Sequence, residues 1–357
     1  MIKFFLKYFL PASVSLFIFA CQSKEVIKEN SVIDETHVAN SVIIIIHGDG
    51  DYLFHNKNGE AQPADEAVLK KAIAAAEQLF NSEVFIFHQK PKSYSFLFFP
   101  EDDEEYYYFK NGKLRVKQSL KRNDFSFNNE ADFYKRYSSG TGRNILLYYG
   151  HEIPLNEGYG YNSSYPDNAF NISIFSKAVS KFSEKEKMGL VILSTCNNGN
   201  PTVIKNLKAE TDYIIASPEN LHLSYMNPLS LKKLNFINDT EEFTVEFARS
   251  AFYDLRNSTE TVTAVSAYKT ADISDKFLRI TSAVLKNAAG SSTENCDCEE
   301  LPVFNEEESE KGVLVFYKPP SFGKSQFKLE HSGWGCVKEK VNTSAVNLIQ
   351  TAQHQNR

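Results

Sequence analysis

Five short runs punctuate the chain: Val42–Ile46, Val84–His88, Asn144–Tyr149, Leu190–Leu193 and Asp212–Ala216. Each is mostly apolar, too short for a helix and closed by polar residues. They therefore read as strands buried on both faces, the habit of a parallel sheet. Segments with helical spacing separate them: Asp65–Phe80, Ile172–Glu186, and a short helix from Pro201 to about Lys208 with Asn200 as its cap. Phe243–Leu255 and Asp275–Ala288 are amphipathic and should cover the sheet. This alternation predicts an α/β fold with a mostly parallel sheet.

Other stretches break the rhythm. Lys92–Leu120 is rich in aromatic residues around the acidic run Glu101–Glu105 and contains Asn111-Gly112. It reads as one or two β-hairpins with a packed aromatic face and a solvated charged loop. Ile153–Asn168 is a Gly-, Tyr- and Asn-rich loop at the sheet edge where clefts form. It carries no Lys or Arg, so cutting of the chain at a basic residue there is not expected. Ser291–Glu310 reads as a polar linker. Gly312–Tyr317 and Ser325–Leu329 read as strands of a small C-terminal β appendage.

Chemistry collects where strands end. Asn144–Tyr149 runs into Gly150 and His151, and Leu190–Leu193 into Ser194, Thr195 and Cys196. With a helix between them, the two strands should be parallel neighbours, bringing a His and a Cys to one edge. A thiolate is the reactive form of cysteine, and a cationic His and a nearby helix amino end would both favour it. The bland reading is a buried small residue and a loop histidine. His47-Gly48-Asp49-Gly50-Asp51 lacks the spacing of a calcium loop or a phosphate loop and is read as a turn, not a metal site. His88 is read as a solvated loop residue.

Strand-Gly150-His151, then helix, strand-Cys196, helix and Thr211–Glu219 (TDYIIASPE) resembles the clostripain-like cysteine peptidases of the caspase and gingipain group. The resemblance spans roughly Ser41–Ala289, and Val262–Thr270 matches the segment before the last long helix of such enzymes. Glu152 stands where the family has Gly, and Ser194 where clostripain has Asp; the Thr195–Asn200 turn is nearer the gingipain pattern. The resemblance implies a caspase-like three-layer αβα sandwich and a cysteine endopeptidase with His151 and Cys196 as its dyad. It further implies oxyanion donors in the backbone N–H groups of Glu152 and Cys196, and protein or peptide substrates without a cofactor. Asp49 or Asp51 would then pair with a basic substrate residue in a pocket that Ser194 and Glu219 also help form. The rival readings are a peptidase fold that has lost its chemistry and acts in binding, and a site serving only self-processing or a partner's processing.

The ends of the chain change the picture of where it acts. Lys3 and Lys7, the apolar Phe9–Ala20 and Ile18-Phe19-Ala20-Cys21 resemble a bacterial lipoprotein signal, with Cys21 as the lipid-bearing first residue of the mature chain. The reading is thus residues 1–21 signal, 22–40 tether, 41–290 peptidase domain and 291–357 linker with appendage, exported and lipid-anchored at the cell envelope, in the outer membrane by preference. In that oxidising setting Cys336 could pair with Cys296 or Cys298. His331 is the one obvious extra ligand, too few for zinc. With 39 basic and 45 acidic residues, a net charge of −6 and no basic block, nucleic acid is not an expected partner.

Overall fold

The computed structural model describes residues 38–49, 52–55, 60–92, 94–95, 99–100, 103–120, 126–155, 164–165, 170–183, 186–221, 224–257, 263–288 and 312–335. Nine strands form one sheet: β1 (Asn40–His47), β2 (Ser82–Gln89), β3 (Glu104–Lys110), β4 (Lys113–Leu120), β5 (Arg143–Tyr149), β6 (Met188–Ser194), β7 (Thr211–Ala216), β8 (Thr263–Lys269) and β9 (Val313–Lys318). Their spatial order is β9-β8-β7-β6-β5-β1-β2-β3-β4. The five central strands are parallel, and an antiparallel pair closes each side. The chain steps from β1 to β2 on one side and returns to β5 on the other. The carboxyl ends of β1 and β5 therefore flank the crevice where ligands gather in open α/β sheets.

Alternate residues of β1 explain the layers. Ile43 and Ile45 belong to a core with α2 (Asn128–Tyr137), α3 (Ile172–Phe182), α4 (Pro201–Leu207) and α6 (Asp275–Ala288). Val42, Ile44 and Ile46 face α1 (Ala64–Ala76), α5 (Thr240–Arg256) and a 3₁₀ segment, Pro228–Asn235. All of these β1 side chains are at most 1% exposed, so each contributes roughly 1.5–3 kcal/mol by burial. A charge at Ile44 would have no partner in that layer. The result is the three-layer αβα architecture with a mostly parallel sheet.

The edges differ from expectation in detail. The Asn111-Gly112 turn, with φ of 51° and 75°, joins β3 to β4 as a tight hairpin. Tyr106 and Tyr108 of β3 pack on Phe87 and Phe85, the packed aromatic face expected there. The expected β appendage is not separate: Val313–Lys318 pairs along β8 as the ninth strand. Lys324–Phe327 is a 3₁₀ turn rather than a strand, and Phe327 and Leu329 are each 80% exposed. The helices expected to reach Phe80 and Glu186 stop at Ala76 and Phe182. Among the described residues no helix is long and apolar enough to cross a membrane. Cys21, Asp51, Cys296, Cys298 and Cys336 lie outside the described residues.

Candidate active site

Strand register brings His151 and Cys196 level. Ser194 of β6 pairs with Tyr149 of β5, and Cys196 and His151 each lie two residues beyond that pair. Parallel neighbours are about 4.8 Å apart, so the chain segments that carry them leave the sheet side by side. Cys196 is half-buried. Its Sγ donates to Asn220 Oδ1 at 3.1 Å and accepts from the Leu221 N–H at 3.4 Å. The His151 side chain is 30% exposed, and its Nε2 lies 2.8 Å from Oδ2 of the buried Asp49. The Tyr52 ring packs on the imidazole at 4.9 Å between centroids. Burial, and then the neighbouring Cys196, push the Tyr52 phenol well above its ordinary value.

The turn after Cys196 uses each of its asparagines differently. Asn197 takes a left-handed φ of 54°, and its Nδ2 donates to Glu152 Oε2 at 2.7 Å. Asn198, fully buried, bonds both the N–H and the carbonyl of Ile153, at 2.9 and 3.1 Å. Its amide thus acts as a short piece of strand that clips the His151 loop to the Cys196 loop; Thr195 Oγ1 donates to the same Oδ1. Asn200 caps α4, accepting from Thr202 and Val203 N–H groups. Those two amides are therefore satisfied within the turn.

The expected pocket residues separate. Ser194 does line a cavity, while its Oγ accepts from the Met226 N–H at 2.8 Å. Asp49 is committed to His151 and does not face that cavity; it supplies the third residue beside the pair that the spacing alone had not revealed. Glu219 is buried, with Oε1 3.0 Å from His331 Nε2, because the segment after β9 folds back over the Cys196 loop. Gly335 N–H donates to the Gly199 carbonyl, Tyr268 Oη bonds both the Gly199 and Gly333 carbonyls, and Trp334 packs on Tyr268. Only glycine fits at 335, since a Cβ there would come 2.3 Å from the Pro218 carbonyl oxygen. His331 is thus a buttress rather than a loose metal ligand. His88 is not solvated either: it is 2% exposed and bonded to Asp65. Among the described residues no group of three His, Cys, Asp or Glu is placed to hold a metal ion.

No protein-family model matches the sequence, and no curated protein matches it. Among solved structures, an inactive zymogen C11 protease from Parabacteroides distasonis aligns over 90% of this chain and 97% of its own, at 14% identity and a TM-score of 0.51. The fold is that of the C11 cysteine proteases. A secreted C11 cysteine protease from Bacteroides thetaiotaomicron bound to an irreversible peptide inhibitor aligns over 71% of each chain, at 13% identity and a TM-score of 0.49. A second structure of a secreted C11 protease from that organism gives 14%, 71% of each chain and 0.47. Within this C11 fold, His151 follows β5, beside the point where the strand order reverses, and Cys196 follows the next strand, β6.

Proposed function

We propose that this C11-fold chain is a cysteine endopeptidase in which Cys196 attacks and His151 carries the proton. The observation that supports it most is the level placement of the two residues beyond neighbouring parallel strands, with Asp49 on the imidazole. Asp49 accepts the Nε2 proton and leaves Nδ1 to serve as base and then acid. The Cys196 thiolate adds to the scissile carbonyl, and the backbone N–H groups of Cys196 and Glu152 hold the oxyanion. His151 then protonates the leaving amine, and the acyl thioester is hydrolysed by water that His151 deprotonates. Cleavage after a basic residue belongs to the same proposal.

A second reading has its own support. Here the thiol donates to Asn220 and the imidazole is turned to Asp49, a resting arrangement that a binding protein without chemistry would also keep. Acyloxymethyl-ketone probes bearing Lys, Arg, Asp or Ala decide between the two on the full chain, with Cys196→Ala as control. Labelling that disappears in the variant is expected. Folded protein that no probe labels, and whose thiol also ignores iodoacetamide, is a binding protein. Lipid attachment at Cys21 completes the proposal: the chain should partition into a detergent phase, and Cys21→Ala should move it to the aqueous phase.

A further inference from the structure

Two phenylalanines stand out from the amino end of the sheet: Phe80 is 64% exposed and Phe236 83%. One side chain joins the segments that carry them. Asn235 Oδ1 accepts from the Phe80 N–H at 2.9 Å, and its Nδ2 donates to the Gln78 carbonyl at 2.8 Å. The chain enters the fold at the same place, since the Ala39 and Asn40 N–H groups both donate to the Asn81 carbonyl. Arg143 ties that entry to the Phe236 loop through Asn40, Ile237 and Asn238. The β3–β4 turn abuts the end of α1, where a Cβ at Gly112 would come 2.6 Å from the Glu77 carbonyl oxygen. Lys113 beside this turn and Lys232 before Phe236 are exposed, as is Glu77. The other acids are engaged: Glu83 is buried against Ser138 and Ser139, and Asp239 caps α5. A chain of net charge −6 thus sets exposed lysines beside two bare rings, on a surface that the proposed peptidase reaction does not use.

We infer that this end of the molecule rests on an anionic lipid surface, with Phe80 and Phe236 dipping into the headgroup region. Aromatic rings flanked by lysines suit that zone, where the ring leaves water and the ammonium meets lipid phosphate. That a membrane lies within reach rests on the reading of Cys21 as a lipid anchor. Residues 22–37, as a flexible tether, span about 20–24 Å root-mean-square. Strand β1 alone, with its eight residues, is roughly 26 Å long. The amino end, where the tether joins, therefore meets the bilayer without stretching it. Phe327 and Leu329 follow β9 at the opposite end of the sheet and define the rival orientation. With the amino end down, the edge that bears His151 and Cys196 opens away from the lipid, toward soluble protein or peptide.

Depth in the bilayer is measured by fluorescence. The full chain is reconstituted in vesicles of phosphatidylethanolamine and phosphatidylglycerol whose brominated acyl chains quench a nearby indole. Phe236→Trp and Phe327→Trp are each compared with the unaltered chain, whose single Trp334 is buried. Phe236→Trp should lose fluorescence and Phe327→Trp should not; Phe80→Trp is a second reporter should the first fail to fold. Equal quenching of the two, or quenching of Phe327→Trp alone, overturns the inference. No quenching of either in a chain that floats with the vesicles keeps the Cys21 anchor and discards the docking face. A chain that does not float sinks the anchor instead, and the same Phe236→Trp chain is then mixed with preformed vesicles. A blue shift with anionic but not with neutral phosphatidylcholine vesicles keeps the docking face, and its absence overturns it. A blue shift that grows with protein concentration without lipid marks contact with a second copy and also overturns it.

Discussion

The two ends of the sheet use their buried polar side chains differently. At the amino ends every such group works within the fold. Arg143 gives two bonds to Asn40 Oδ1 and one each to the carbonyls of Ile237 and Asn238. Glu83, fully buried, accepts from Ser138 Oγ and the Ser139 N–H. At the carboxyl ends, Asp65 and His88 each keep a buried atom with no partner among the described residues, and His151 and Cys196 stay part-exposed. Satisfied groups hold a structure together, whereas open ones are costly and persist where a ligand or a reaction completes them.

Substitutions at the two ends should separate accordingly. The largest effect is expected at Asp49→Asn, which keeps the shape but lets the imidazole turn. On the peptidase reading kcat should fall by about 10²–10⁴ with KM little changed. A matching rise in KM with steady kcat would move Asp49 back to the substrate pocket. Next comes Arg143→Ala, which strands Asn40 Oδ1 and two carbonyls and should cost about 2–4 kcal/mol in urea unfolding. The folded fraction should label at Cys196 at an unchanged rate; a slower rate would erase the contrast between the ends.

Asn198→Ala sharpens the comparison, because this clip serves both purposes. It should cost about 1–3 kcal/mol and also slow Cys196 labelling per folded molecule, as the two loops part. The smallest change is expected at Glu246→Gln on α5. Hydrogen bonding from Lys233 outweighs the opposing effect of burial and holds the Glu246 carboxyl below its usual range. The pair thus adds stability above the ordinary carboxylate pKa and loses it as pH falls through the lowered value. At this exposed site the loss at neutral pH should stay within about 0.5 kcal/mol in a thermal melt, and less in high salt.

Much of the scaffold was legible because burial on both faces leaves unbroken apolar runs, as in Val42–Ile46 and Leu190–Leu193. The adjacency of the strands before His151 and Cys196 followed from the helix between them. Asn200 before Pro201 marked the start of α4 correctly. What escaped the sequence depends on distant partners. Asp65 and His88 look like a helix-terminal acid and a loop histidine until β2 and α1 meet. α2 was missed because it is mostly polar, with Phe127 before it in a left-handed conformation at φ 57°. Ser194 lines the cavity, whereas Asp49 bonds His151 and Glu219 bonds His331.

The fold-back of residues 331–335 has a consequence in time. The Cys196 loop rests on Gly335, Tyr268 and the His331–Glu219 pair, all of which leave the ribosome after it. At about 5–20 residues per second, synthesis takes on the order of ten seconds to travel from Cys196 to Gly335. Until then the loop is held by the Asn198 clip and the Asn200 cap, without the contacts of residues 331–335. Residues 331–335 thus reach the Cys196 loop late, and their contacts join it after the rest of its surroundings have been made.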